Sequence, residues 1–266
     1  MFNYRLWHSF GANFFERIIL RVYADLLRPG DTAIDLGANH AIHTVPMAEL
    51  VGVTGRVIAY EAIPTLAEKI RRITINLPQV EVLNFAVCDR SEISKFKWAK
   101  AGDGYSGLRE REMPETARVS IVDIDVQTTT LDESLQNAVH EKVGSLRFMK
   151  MDIEGGEYHA FVGARKTIAL LQPFVIFENG RERMAQLYEY TKEQWFDLFA
   201  SMNYSTFDLF GRPFGIENWS DDHMPWYTIA VPANSEHEAY VREVLPHRIR
   251  EMETSPEIAL SRPREP

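Results

Sequence analysis

The chain has 266 residues, of which 45% are hydrophobic and 25% charged, and its formal net charge is −9. This composition suits a globular chain with one large domain plus appendages, and the acidic balance argues against nucleic acid or an anionic membrane as partner. A single cysteine, Cys88, excludes an intrachain disulfide and a cysteine-rich zinc site. No signal-peptide pattern is visible, and no apolar run approaches the roughly 20 residues of a spanning helix, so a cytoplasmic location is expected.

Residues 1–30 carry Phe10, Phe14, Phe15, Ile18, Ile19, Val22, Tyr23, Leu26 and Leu27 at nearly helical spacing. They predict a helical cap on a sheet or, alternatively, a lid over a ligand; their aromatics offer a surface for a homodimer. Pro29-Gly30 signals a turn, and residues 32–36 then form a short apolar run broken only by Asp35. Such a run suits a strand buried on both faces of a parallel sheet. Gly37 ends it at a sharp turn, Asn39 tolerates a left-handed conformation, and from Ala41 the spacing of Ile42, Val45, Met47 and Leu50 predicts a helix. Strand, tight turn and helix together present backbone N–H groups to a ligand in a doubly wound α/β fold.

A pyrophosphate loop needs G-x-G-x-x-G, but Asn39 and Ile42 hold the second and third glycine places. A dinucleotide is therefore disfavoured. S-adenosylmethionine has no phosphate, and the carboxylate of Asp35 can offset its cationic centres. Residues 56–60 read as the second strand, with Glu61 at its end, where a carboxylate can accept both ribose hydroxyls of an adenosine cofactor. Nicotinamide cofactors share that need. Ala62-Ile63 leads to Pro64, which opens a helix to about residue 76.

Residues 80–87 are expected to form the third strand, ending at Cys88-Asp89. The turn beyond it would flank an adenine, making Ala86, Val87 and Asp89 candidates; Cys88 reads as a small core residue. Residues 93–98 suggest a strand. The polar segment 100–117, with three glycines around Tyr105-Ser106, reads as a long loop of the kind that binds substrate. Residues 119–128 alternate apolar and acidic side chains. Residues 146–151 read as the fourth strand, followed by Asp152, Glu154 and Glu157. Acids crowded at a strand end need a cation, metal or proton to offset them; alternatively, Glu154 and Glu157 cap the next helix. A broken helix over 159–171 stops at Pro173, and residues 174–177 form the fifth strand, closed by Glu178-Asn179. A helix over 191–201 precedes two strands, 204–209 and 226–231, expected as an antiparallel hairpin. The loop between them holds Trp219 and would line an acceptor pocket or cover an edge strand. The tail from Ala233 is polar and predicts a short helix followed by disorder.

Several of these segments resemble the FkbM-type methyltransferases. Asp35, Gly37, Asn39 and Thr44 match the family's first motif, Glu61 and Pro64 its acid-proline element, and Ser106-Gly107-Leu108 and Thr130-Leu131-Asp132 two further elements. Residues 150–157 match its lysine, Asp-Ile-Glu-Gly, glutamate signature at every defined position. The resemblance implies a class I methyltransferase (Rossmann-like) sheet, mostly parallel with a C-terminal antiparallel hairpin. The expected organisation is a cap at 1–30, the methyltransferase domain at 31–232 and a tail at 233–266.

The implied activity is S-adenosylmethionine-dependent O-methylation of a small molecule or carbohydrate. Asp35, Gly37, Asn39, Thr44, Glu61, Ala62, Ala86, Val87 and Asp152 would bind cofactor. Tyr105, Ser106, Glu154 and Asn179 would bind the acceptor, and Asp152 and Glu178 would carry the chemistry. The placement of Asp152, Glu178 and Asn179 is similar to that of the Mg²⁺ ligands of catechol O-methyltransferase-like enzymes, and all three are hard oxygen donors. His40 and His43 read as helix-start or core histidines rather than bases. The family usually has glycine at position 41, so the methyl of Ala41 is expected to narrow the space beside the cofactor's methionine part. A nicotinamide oxidoreductase or an inactive binding protein on the same sheet are the competing functions.

Overall fold

The computed structural model describes residues 12–139 and 145–254. Helix α1 (Ala12–Leu26) precedes two strand–helix units, β1 (Thr32–Leu36) with α2 (Thr44–Val51) and β2 (Arg56–Tyr60) with α3 (Pro64–Ile73); β3 (Val80–Leu83) follows. An excursion of β4 (Ala86–Val87), β5 (Ile93–Ala99), the single turn α4 (Glu115–Arg118) and β6 (Ile121–Thr129) comes next. The chain then resumes with α5 (Leu131–Val139), β7 (Leu146–Met151), α6 (Glu157–Val162), α7 (Arg165–Leu171) and β8 (Phe174–Glu178). It ends with α8 (Arg181–Leu187), α9 (Lys192–Ser201), β9 (Tyr204–Asp208), β10 (Tyr227–Pro232), α10 (Glu236–Ala239) and α11 (Leu245–Thr254), the last two joined by one wide helical turn.

Seven strands form the central sheet in the order β3-β2-β1-β7-β8-β10-β9. The first five are parallel, and β10 runs antiparallel to both β8 and β9. All five residues of β1 are buried, as its apolar run requires. Alternate side chains feed two layers: Ile34 and Leu36 join a core with Phe161, Phe177, Trp195 and Phe199, while Ala33 joins Ile18, Val22, Met47 and Leu245 on the other face. Burying each large side chain stabilises the fold by roughly 1.5–3 kcal/mol. Helix α9 starts where a capping box forces it to. The Thr191 hydroxyl accepts the Gln194 N–H, and the Gln194 side chain accepts the Thr191 N–H.

Three expectations change. The run 80–87 is not one strand. Asn84 donates to the carbonyls of Glu61 and Ala62, turning the chain out of the sheet, and Ala86–Val87 pairs instead with Thr128 and Thr129 in a separate sheet of order β4-β6-β5. The helix expected from Ala41 starts at Thr44, because Asn39 and Ala41 both take left-handed backbone (φ 46° and 62°). From Glu236 the described chain is helical to Thr254. Val241, Leu245 and Ile249 are buried on that helix, and Tyr240 and Arg248 bond Asp25 of α1. Residues 255–266, where disorder is expected, lie outside the described residues, as does Phe10. Phe14 and Phe15 are buried in the chain's own core, so they do not supply the exposed surface expected for a homodimer. Trp219 is buried against Trp195 and Phe214 and covers the sheet instead of lining a pocket.

Candidate functional site

A cavity of about 230 Å³ opens at the carboxyl ends of β1, β2 and β7. Its base is the turn after β1. Gly37 lies so close to β7 that a Cβ there would stand 1.9 Å from the Asp152 carbonyl oxygen, and its φ of +80° suits glycine. The Gly37 and Ala38 N–H groups both donate to the Tyr60 carbonyl, binding the turn to β2. Glu61 fixes the next step: one carboxylate oxygen accepts the Asn39 N–H and the other the Ile63 N–H, each at 2.8 Å. Burial pushes the Glu61 carboxyl up to about 7 against those two bonds.

The cavity has two chemically different ends. Near β2 and the side sheet it is apolar, walled by Ile63, Leu66, Phe85, Ala86 and Phe96. Near β7 it is charged. Lys150 stands beside Asp35 in register, and its Nζ lies 3.3 Å from Asp152 Oδ2. Burial alone would push the Lys150 ammonium down, but Asp152, Asp35 and Glu16 outweigh it and hold it above the ordinary lysine value. Burial would likewise raise Asp152. Lys150 and the Tyr227 hydroxyl, which donates to Asp152 at 2.8 Å, hold it below the ordinary carboxylate value. Glu178 goes the other way: burial first, then the charges of Asp152 and Glu157, push it well above that range.

Of the residues expected in the site, Gly37, Asn39, Glu61, Ala62, Ala86, Val87, Ser106, Asp152 and Glu154 line the cavity. Asp35 and Thr44 lie behind it, both buried, with the Thr44 hydroxyl donating to Asp35 Oδ2 at 2.6 Å. They hold the start of α2 against β1, while Asp35 Oδ1 has no protein partner. Tyr105, Glu178 and Asn179 are not in the lining. Tyr105 packs under the Arg111 guanidinium. Glu178 lies beside the lining residues Asp152 and Glu154. The Asn179 side chain is spent elsewhere: its oxygen accepts the Arg181 N–H and its amide donates to Thr228. Asp89 pairs with His159 and Arg90. Glu157 caps the turn after β7, accepting the N–H groups of Ile153 and Gly155. Cys88 is buried, and burial pushes its thiol up.

The Ala41 methyl packs with Ala38, Ala59 and Ile70 and is absent from the lining, so it does not narrow the cavity. His40 and His43 do line it. His43 precedes α2 without capping it and bonds Glu16 at 2.5 Å. Sequence reasoning missed Glu16, which α1 swings over the charged end; its carboxylate also accepts from Tyr227. No local signal marks a glutamate on the polar side of an amphipathic helix as a site residue. Lys150 was visible within the signature at 150–157, and Phe96 in the alternation of β5. The long loop 100–117 forms part of the wall through Asp103, Gly104, Ser106 and Leu108.

Five carboxylates (Glu16, Glu61, Asp103, Asp152 and Glu154) and one lysine are among the lining side chains. A cationic ligand suits such a site, and a pyrophosphate does not. Of the Mg²⁺ set suggested by sequence, Asp152 and Glu178 bring oxygens within 4.8 Å of each other, but the Asn179 oxygen accepts the Arg181 N–H, and Arg111 pairs with Glu154 and lies 3.7 Å from Glu178.

Fold and site thus define a doubly wound α/β protein with an acidic crevice at the carboxyl ends of its parallel strands. The chain belongs to the FkbM methyltransferase family: the model of the methyltransferase FkbM domain matches residues 35–205, well over half its length. The class I methyltransferase sheet with its antiparallel C-terminal hairpin is as expected from sequence. Two curated relatives match short stretches. One is an uncharacterized 37.1 kDa protein in transposon TN4556 of Streptomyces fradiae, 42% identical over 55 residues. The other is protein-L-isoaspartate O-methyltransferase 2 of Archaeoglobus fulgidus, 41% identical over 59 residues. Each match spans 21% of this chain, and they cover 16% and 27% of those relatives. Among solved structures, the methyltransferase FkbM of Methylobacillus flagellatus is 13% identical, with a TM-score of 0.43 over 79% of this chain and 50% of that one. An O-methyltransferase of Bacillus cereus, solved with S-adenosylhomocysteine, is 16% identical, with a TM-score of 0.44 over 82% of this chain and 79% of that one. No helix among the described residues is long and apolar enough to cross a membrane.

Proposed function

We propose that the chain is an S-adenosylmethionine-dependent O-methyltransferase acting on a hydroxyl of a small molecule or carbohydrate. The observation that carries this reading is the polarity of the cavity: an apolar end beside Glu61 and a net-negative end around Asp152. In this reading Glu61 accepts the ribose hydroxyls, and Ile63, Phe85, Ala86 and Val87, which line the same end of the cavity, bracket the adenine. Asp35 and Asp152, with Glu16, bring more negative charge to the β7 end than Lys150 neutralises, which favours a ligand bearing an ammonium and a sulfonium.

When bound, S-adenosylmethionine supplies a methyl group that is already activated, so the protein's part is positioning and proton handling. Asp152 is ionised and oriented by Tyr227 and Lys150, and it can accept the hydrogen bond of an acceptor hydroxyl and take its proton. Glu178 acts through Asp152 as a positioning residue. Ser106 accepts the Ala99 N–H and so holds the wall through which an acceptor would approach.

Thermal shift separates this from the nicotinamide alternative. At 100 times its Kd, S-adenosylhomocysteine should stabilise by about 2.7 kcal/mol, raising Tm by about 5 °C or more, while NAD should do little. A shift with NAD and none with the homocysteine nucleoside would overturn the reading. Radiolabelled methyl transfer into a cell extract tests turnover. Asp152→Asn should abolish it even at saturating S-adenosylmethionine, and should also weaken nucleoside binding, because it removes negative charge from the β7 end of the cavity.

A further inference from the structure

Three acids around the end of β7 and β8, Asp152, Glu154 and Glu178, bring carboxylate oxygens within 4.8 Å of one another. Three clustered carboxylates are oxygen donors of the kind a divalent cation takes. Here a cation is already built in. Arg111, from the loop between β5 and β6, forms a close ion pair with Glu154 and lies 3.7 Å from Glu178, with its side chain mostly buried. The Tyr105 ring supports the guanidinium from 5.4 Å. Two of the oxygens a metal would draw on already have partners. Lys150 and Tyr227 already fill Asp152 Oδ2, and the Asn179 oxygen is committed to the Arg181 N–H.

We propose that Arg111 is the resident counter-ion of Glu154 and Glu178, standing in for a divalent cation in the Asp152–Glu154–Glu178 cluster, and that it pins the β5–β6 loop as a wall of the cavity. A guanidinium suits this role because it stays charged at any working pH and presents its donors in a rigid fork, and a pair with Glu154 gains from partial burial. The proposal deepens the methyl-transfer reading. Its test reads metal binding, so it can fail while that reading stands.

The test titrates Mn²⁺ into the full chain, counting free ion by electron paramagnetic resonance, and compares wild type, Arg111→Ala, Arg111→Lys and the double variant Arg111→Ala with Glu154→Gln. Wild type and Arg111→Lys should bind no Mn²⁺ at 1 mM or below. Arg111→Ala should bind at least tenfold more tightly than wild type, and the added Glu154→Gln should remove that gain. Wild type binding as tightly as Arg111→Ala would overturn the proposal. So would a folded Arg111→Ala, judged by circular dichroism, that gains no affinity.

Discussion

If Glu61 accepts the ribose hydroxyls, nucleoside affinity must follow its ionisation. The Glu61 carboxyl is buried and pushed up to about 7 from an ordinary 4.5. That shift corresponds to roughly 3 kcal/mol favouring the neutral form. The sign follows directly. Because the folded value lies above the unfolded one, this stability is complete below about pH 4.5 and is lost as pH rises through 7. Binding behaves oppositely, since a carboxylate is the better acceptor for two hydroxyl donors. Affinity for S-adenosylhomocysteine should be level above about pH 8, fall about tenfold by pH 6 and keep falling below that. Glu61→Gln cannot ionise, so its affinity should not change with pH across this range. At pH 8 it should bind roughly 10–100-fold more weakly, having lost charge assistance worth about 1.5–3 kcal/mol in all. Isothermal titration calorimetry from pH 5.5 to 8.5 reads both effects. A variant that keeps the wild-type slope would assign the titration to another group and refute the argument.

Gly37→Ala places a methyl against the Asp152 carbonyl at a left-handed position and should cost about 2–5 kcal/mol in urea denaturation; a loss under 1 kcal/mol would contradict the close approach of β1 and β7. Ala41→Gly exchanges backbone strain for a buried methyl, so stability should move by less than about 1 kcal/mol and nucleoside affinity by less than about twofold; a large gain in affinity would restore the crowding argument. Lys150→Met leaves Asp35, Asp152 and Glu16 without their buried counter-charge and should cost about 3–5 kcal/mol, read by chemical denaturation, with an unchanged midpoint telling against that role.

Local sequence carried much of the fold and part of the site. The buried run of β1, the glycine bend, the acid ending β2 and the signature at 150–157 are short-range patterns whose physics is read from a few neighbours. Cavity-lining positions such as Gly37, Asn39, Glu61 and Asp152 were legible for that reason. Sequence did not reveal which side chains converge from afar. Glu16 reaches the charged end because α1 packs across β1 and β7. Arg111 meets Glu154 because the excursion leaves the main sheet at Asn84 and folds back over the β7 turn. The Asn179 oxygen is taken by the Arg181 N–H in the turn it opens, and the Ala41 methyl joins a small apolar cluster because its backbone is left-handed. Periodicity records how a segment buries its own face. The sign and placement of charge inside a shared cavity depend on contacts between segments far apart in the chain, and these exist only after the layers have packed.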